Sequence, residues 1–235
     1  MNTRRIALLV VVGVSAIAAS LFRFVRPTRS VSGVRDIIPP SVPTGLTAVE
    51  LGVPTVVTDD FNRANGGLGG NWTTSSDLAA AGGGSLQIVS NAVVSSPTNN
   101  HFASYYSGAQ SFANDQYAQV TITGAAGQGA GVIVRHQGTV RSRFYLLICT
   151  QIGTGTPTNV VYFRCDNGTL TQLGGIEGAV VNSGSLVKLQ IVGNKLIGSI
   201  DGLLLPSRTD TTYPSGFPGI ECFSAALDNF QAGEA

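Results

Sequence analysis

Three stretches carry the side chains best suited to holding a ligand. Phe144–Gln151, Asn159–Cys165 and Leu186–Val192 can each be read as a β-strand, in which successive side chains point to opposite faces. In Asn159–Cys165 one face is Val161, Phe163 and Cys165, and the other is Val160, Tyr162 and Arg164. An unpaired arginine in a core is costly, so Arg164 is expected to point outward and Val161, Phe163 and Cys165 inward. Phe144, Leu146 and Ile148 then pack against them, leaving Tyr145 and Cys149 on the outer face. Lys188 and Gln190 turn outward by the same rule. The outer face is thus expected to carry Arg135, Tyr145, Tyr162, Arg164, Lys188 and Gln190. Aromatic rings pack on the apolar faces of sugars and guanidinium forks bond hydroxyls or carboxylates, so the set suits a hydroxylated or anionic ligand. The alternative is a solvated sheet face with ordinary cross-strand pairs.

Catalytic patterns are sparse. The thirteen acidic residues are scattered, and no Glu-x-Asp-x-x-Glu run sets carboxylates on one strand face for glycoside cleavage. His101 and His136 lie far apart, and no Gly-x-Ser-x-Gly elbow or His-Glu-x-x-His helix occurs. The Gly-rich stretch 124–131 lacks the lysine of a nucleotide-binding loop and reads as a turn between strands. The expectation is a protein that is not an enzyme. Three cysteines cannot complete a disulfide set, and the strand alternation separates Cys149 from Cys165. A Cys165–Cys222 bridge stays open beside three buried thiols. Trp72 reads as a core plug, and Tyr105, Tyr106, Tyr213 and Phe217 as loop aromatics available for binding.

The elements that must position these residues are strands. Only 11% of the 235 residues are charged, and 30 glycines separate short apolar runs, which suits an all-β body with many turns. A formal net charge of +1 with no basic stripe gives no reason to expect nucleic acid as a partner. Further strands are expected at Leu86–Val89, Ala92–Ser95, Tyr117–Thr123, Gly131–His136, Pro218–Ser224 and Ala226–Gln231. Gly193-Asn194 and Asp201-Gly202 are hairpin turns on either side of Leu196–Ile200. Residues 1–30 stand apart. Arg4 and Arg5 precede an apolar run, Ile6–Phe22, and Arg23, Arg26 and Arg29 follow it. The run reads as a hydrophobic helix, either a cleaved signal peptide or a membrane anchor, and places the body outside the cytoplasm or at a membrane surface. Residues 31–57, with Pro39, Pro40, Pro43 and Pro54, read as an extended linker, and the body begins at residue 58.

Within that body a series of short motifs recurs in a telling order. These are Asp-Asp-Phe-Asn-Arg (59–63), Leu-Gly-Gly-Asn-Trp (68–72), Gly-Val-Ile-Val-Arg (131–135), Ser-Ile-Asp-Gly (199–202), Gly-Phe-Pro-Gly-Ile (216–220) and Leu-Asp-Asn-Phe (227–230). Together they resemble the concanavalin A-like lectin/glucanase superfamily, particularly its laminin G-like members, over residues 58–232. The resemblance implies a two-sheet antiparallel jelly-roll β-sandwich with its first and last strands side by side. It also implies carbohydrate recognition at a cell or virion surface as the expected function. A structural module of a phage particle or surface layer, meeting other surface or virion proteins, is the alternative, and a glycoside hydrolase or lyase a second. With the terminal strands adjacent, Asp59, Asp60 and Asp228 could gather calcium; the alternative is that Asp60 and Asp228 cap or hydrogen-bond turns at the sheet end.

Overall fold

The computed structural model describes residues 56–75, 84–97, 100–108, 111–124, 129–138, 142–152 and 158–235. The expected N-terminal helix and all but the last two residues of the linker lie outside the described residues. No helix occurs among the described residues, and the body is built from strands alone.

In chain order these are β1 (Val56–Asp59), β2 (Gly66–Gly67), β3 (Trp72–Ser75), β4 (Ser85–Val89), β5 (Ala92–Ser96), β6 (Phe102–Tyr106), β7 (Gln116–Gly124), β8 (Ala130–His136) and β9 (Arg143–Thr150). There follow β10 (Thr158–Asp166), β11 (Thr169–Gln172), β12 (Glu177–Ala179), β13 (Leu186–Val192), β14 (Lys195–Ile200), β15 (Leu203–Leu204), β16 (Arg208–Thr209), β17 (Phe217–Cys222) and β18 (Ala226–Glu234). One sheet runs β15-β14-β13-β7-β18-β5-β4-β2, with β16 also on β14 and β1 also on β18. The other runs β11-β10-β9-β8-β17-β6-β3, with β12 also on β10. The first and last strands pair antiparallel, Asp59 opposite Phe230 and Val56 opposite Gly233, as the resemblance implies.

The core lies between the sheets, where alternate side chains meet. From the first sheet come Ala118, Val120 and Ile122 of β7, Val187, Leu189 and Ile191 of β13, and Leu227 and Phe230 of β18. Opposite them lie Val132 and Val134 of β8, Tyr145, Leu147 and Cys149 of β9, and Val160 and Tyr162 of β10. A second cluster occupies the other face of the second sheet: Ile133, Phe144, Leu146, Ile148, Val161 and Cys165, with Phe163 and Leu170 against it. Central strands of this sheet are therefore apolar on both faces. This corrects the expected orientation, because Tyr145, Cys149 and Tyr162 face the inter-sheet core while Phe144, Leu146, Val161 and Cys165 do not. Cys149 and Cys165 do lie on opposite faces, and all three cysteines are buried.

Trp72 plugs one end of the core, 4.8 Å from the Phe230 ring and 5.7 Å from Phe61. Its indole Nε1–H donates to Asp59 Oδ2 at 2.8 Å. The same carboxylate takes Arg63 through both terminal nitrogens, at 2.7 and 3.0 Å, and the Phe61 amide at 2.9 Å. The end of β1 is thereby tied to the core that β18 closes.

Between β8 and β9 the packing leaves no room for a side chain at Gly131. A Cβ there would stand 2.2 Å from the Leu147 carbonyl oxygen and 3.0 Å from Ile148 Cα. Both obstacles are backbone, so relief requires the strands to part. Gly131→Ala is expected to cost about 3 kcal/mol, the upper end for overpacking, read as a lowered denaturant midpoint; a midpoint equal to the parent's would contradict this packing.

Candidate functional site

The six residues expected to share one outer face do not share it. Arg135, Tyr145 and Tyr162 are fully buried. Tyr162 accepts the Gly198 amide at 2.8 Å, and Tyr145 donates to Asp210 Oδ1 at 2.8 Å while accepting the Tyr213 amide at 2.9 Å. Burial pushes the Tyr145 phenol up to about 12. Arg164 shares the inward parity of Tyr162 but sits near the strand end, where Nε meets Asp166 at 2.7 Å and a terminal nitrogen meets Asp210 at 2.8 Å. Those bonds, to Asp166 first and then Asp210, raise its pKa further. The rule that turned it outward assumed that it had no partner; Asp210, distant in sequence, supplies one. Tyr105 and Tyr213, expected in binding loops, are also buried, Tyr105 within β6 and stacked on His136 at 4.2 Å.

Arg135 has a different explanation. Its backbone has φ of 53°, which breaks the alternation of β8 at its end. The guanidinium then turns inside and donates to three carbonyls: Asn114 at 2.9 Å, Tyr213 at 3.0 Å and Gly193 at 2.7 Å.

Lys188 and Gln190 stand on the outer face of the first sheet, the face opposite its core. There β7 presents Tyr117, Gln119 and Thr121 outward by strict alternation with Ala118, Val120 and Ile122. In the ladder Lys188 stands opposite Gln119 and Gln190 opposite Tyr117, and the Lys188 ammonium lies 4.3 Å from the Tyr117 ring centroid. Beside them opens a cavity of about 500 Å³ whose lining includes Asp60, Gln119, Thr121, Asn229 and Gln231. Gln119 Nε2 donates to Gln231 Oε1 at 2.8 Å across the β7–β18 ladder. Asn229, with φ of 51°, lies where the β18 register shifts; beyond the shift Phe230 enters the core and Gln231 faces the cavity. The paired amides keep one carbonyl oxygen and one NH₂ group free of each other, as acceptor and donor for a hydroxylated molecule. Gln119, Thr121 and Gln231 escaped sequence reading, although the alternation in Gln-Tyr-Ala-Gln-Val-Thr-Ile-Thr marks two of them as outward.

The carboxylates expected to hold calcium are placed differently from that expectation. Asp59 is occupied by Arg63 and Trp72, and although burial opposes it, the bonds from Arg63 and Trp72 hold its pKa below the usual value. Asp60 Oδ1 accepts the Asn62 amide at 3.1 Å, and Asp228 Oδ1 the Asn229 amide at 2.7 Å, both turn contacts. Among the described residues no three His, Cys, Asp or Glu side chains gather as a metal site would require. The donor set does not fit calcium.

Both histidines belong to the second sheet's outer side. His136 Nδ1 accepts the Gly138 amide at 3.0 Å, so the ring proton lies on Nε2, which donates to Ser75 Oγ at 2.9 Å; Ser75 also bonds Ser142. That tautomer leaves Nε2 no lone pair with which to activate the serine. His101 Nδ1 bonds the wholly buried Glu221, whose Oε2 has no partner among the described residues. Burial raises the Glu221 pKa; burial also opposes the His101 imidazolium, but the Glu221 bond outweighs it and raises that pKa too.

No known family model matches the chain, and no curated protein matches it in sequence. Solved structures do match its fold. The carbohydrate binding module CBM66 from Bacillus subtilis aligns with a TM-score of 0.51 at 15% identity, over 68% of this chain and 91% of the module. The CBM2 module of the evolved Dit of Lactobacillus casei BL23 phage J-1 aligns with a TM-score of 0.50 at 12% identity, over 77% of this chain and 96% of the other. A prokaryotic β-1,3-1,4-glucanase (lichenase) from a mouse hindgut metagenome aligns at 0.48 and 11% identity, over 77% and 99%. The chain shares with the first two an all-β sandwich of two antiparallel sheets.

Burial pushes His136 down to about 3, from 6.5 for a free imidazole. The unfolded chain therefore binds the extra proton between those values, and stability falls as pH drops through that window. Replacing His136 with Phe is expected to remove up to about 1.4 kcal/mol per pH unit of that slope below pH ~6. Denaturant unfolding of the two proteins from pH 4 to 7 measures it; parallel curves would refute a neutral buried imidazole. His101 and Glu221 titrate in both proteins, so their contributions cancel in the difference.

Proposed function

We propose that the amide-lined groove on the outer face of the first sheet is a carbohydrate-recognition site, and that the protein acts by binding rather than catalysis. The observation that carries this reading is the Gln119–Gln231 pair beside Thr121 and Asn229 in a cavity of about 500 Å³, the size of a small ligand's pocket. Neutral amide and hydroxyl groups match sugar hydroxyls as donors and acceptors. Lys188, Gln190 and the Tyr117 ring extend the surface beside it. The fold is shared with a module described as carbohydrate-binding and with the CBM2 module of a phage Dit, which supports the reading without deciding it. Display on a cell or virion surface through residues 1–57 is part of the same proposal.

A second reading has its own observation. Ile176, Val180, Leu203 and Leu204 are exposed, at 56 to 74%, and a cavity of about 310 Å³ lies between Val180 and Leu203. Such apolar exposure suits protein contacts within a virion or surface layer.

A broad glycan array probed with the full chain separates the two. Under the first reading, glycans bind, and Gln119→Ala or Gln231→Ala weakens binding about tenfold, the equivalent of ~1.4 kcal/mol, with the thermal midpoint kept. Binding is expected to be the same in calcium and in chelator, because Asp59 is committed to Arg63. Silence across the array, with self-association or co-purifying partners, would move the assignment to the second reading.

A further inference from the structure

The charges around the groove decide which sugars it accepts. Of the two carboxylates in its lining, Asp59 is bonded by Arg63, while Asp60 is exposed, with one oxygen on a backbone amide of its own turn and only the longer-range attraction of Arg63. At the groove's ends Asp201 accepts the Leu186 amide at 2.7 Å and Asp228 the Asn229 amide, again without a cation. The basic residues that a negatively charged sugar would need are engaged elsewhere. Arg135 is buried against three carbonyls, Arg164 is held by Asp166 and Asp210, and Arg208 by Glu177. Lys188, the nearest ammonium, lies over the Tyr117 ring on the adjoining part of the face.

We propose that the groove selects by charge. It takes neutral glycans, prefers those bearing free amino groups, which seat against Asp60, and rejects those bearing carboxylates. The inference rests on the groove being a carbohydrate site and adds the class of sugar. It also bears on one alternative left by the sequence: Arg135 and Arg164 face other partners and Arg63 is held by Asp59, so each of these guanidiniums is already engaged. The attraction is between exposed charges and so is modest and salt-sensitive.

The test uses the full chain and β-1,4-linked tetramers of glucosamine, N-acetylglucosamine and glucuronic acid, measured by calorimetry at low salt and in ~0.5 M salt. The glucosamine tetramer is expected to bind about threefold tighter than the N-acetylated one, with the glucuronate tetramer weakest. The amine preference, read as the ratio of the affinities for the glucosamine and N-acetylglucosamine tetramers, should vanish in high salt and in Asp60→Asn. Equal or tighter binding of the glucuronate tetramer overturns the inference, as does an amine preference that survives Asp60→Asn. Failure of the glucosamine tetramer while neutral glycans bind the array overturns it too and leaves the carbohydrate reading standing. If no glycan of any charge binds, both fall.

Discussion

The buried guanidinium of Arg135 is the contact on which one whole end of the sandwich depends. An ionised group taken out of water must have every donor occupied, and this one finds carbonyls on three separate connections. One precedes β7, one lies in the β13–β14 hairpin, and one follows β16. Its own amide adds Gln116 Oε1 at 3.1 Å. The start of β7 and the end of β13 are therefore fixed from beneath, and these strands carry Gln119, Thr121 and Lys188 to the opposite face. Arg135 touches nothing in the groove, yet the strands that build it are anchored there. Tyr213 continues the arrangement, giving its carbonyl to Arg135, its amide to the Tyr145 hydroxyl and its own hydroxyl to the Cys165 carbonyl at 2.9 Å.

The strands were readable because turns and alternation speak locally. The hairpins at Gly193-Asn194 and Asp201-Gly202 stand where expected, Leu186–Val192 matches β13 end to end, and Phe144–Gln151 differs from β9 by one residue at each end. Which face turned inward in the second sheet was not readable. In β9 and β10 both parities are apolar, as in sheets buried on both sides, so the decision fell on Arg164, the one charged residue within Phe144–Gln151 and Asn159–Cys165. Its partner Asp210 lies in a distant connection, and no local rule can see such a pair. The first sheet has one polar face, and there Lys188 and Gln190 were placed outward as they are.

The same contrast explains why the candidate site emerged only in part. Gln119 and Gln231 belong to strands distant in sequence that become neighbours through the closing pairing of β7 with β18. Asn229 reaches its position through a left-handed backbone turn, where Asn is tolerated but not demanded. Charged side chains drew attention in the sequence, yet in the fold most are committed to one another or to carbonyls. Beside Asp60, what remains on the groove is neutral and hydrogen-bonding, which composition does not advertise.

The pairing of β1 with β18 has a mechanical side. β1 lies antiparallel to β18 through four opposed pairs, from Val56–Gly233 to Asp59–Phe230. A pull along the axis of β1 would load its ladder bonds together in shear rather than open them one after another. At the far end of that strand the Asp59 carboxylate is pinned by Arg63 and the Trp72 indole, and passes load into the aromatic plug. Because Thr58 and Asp59 of this strand also line the groove, a pull along β1 would act on one wall of the candidate site.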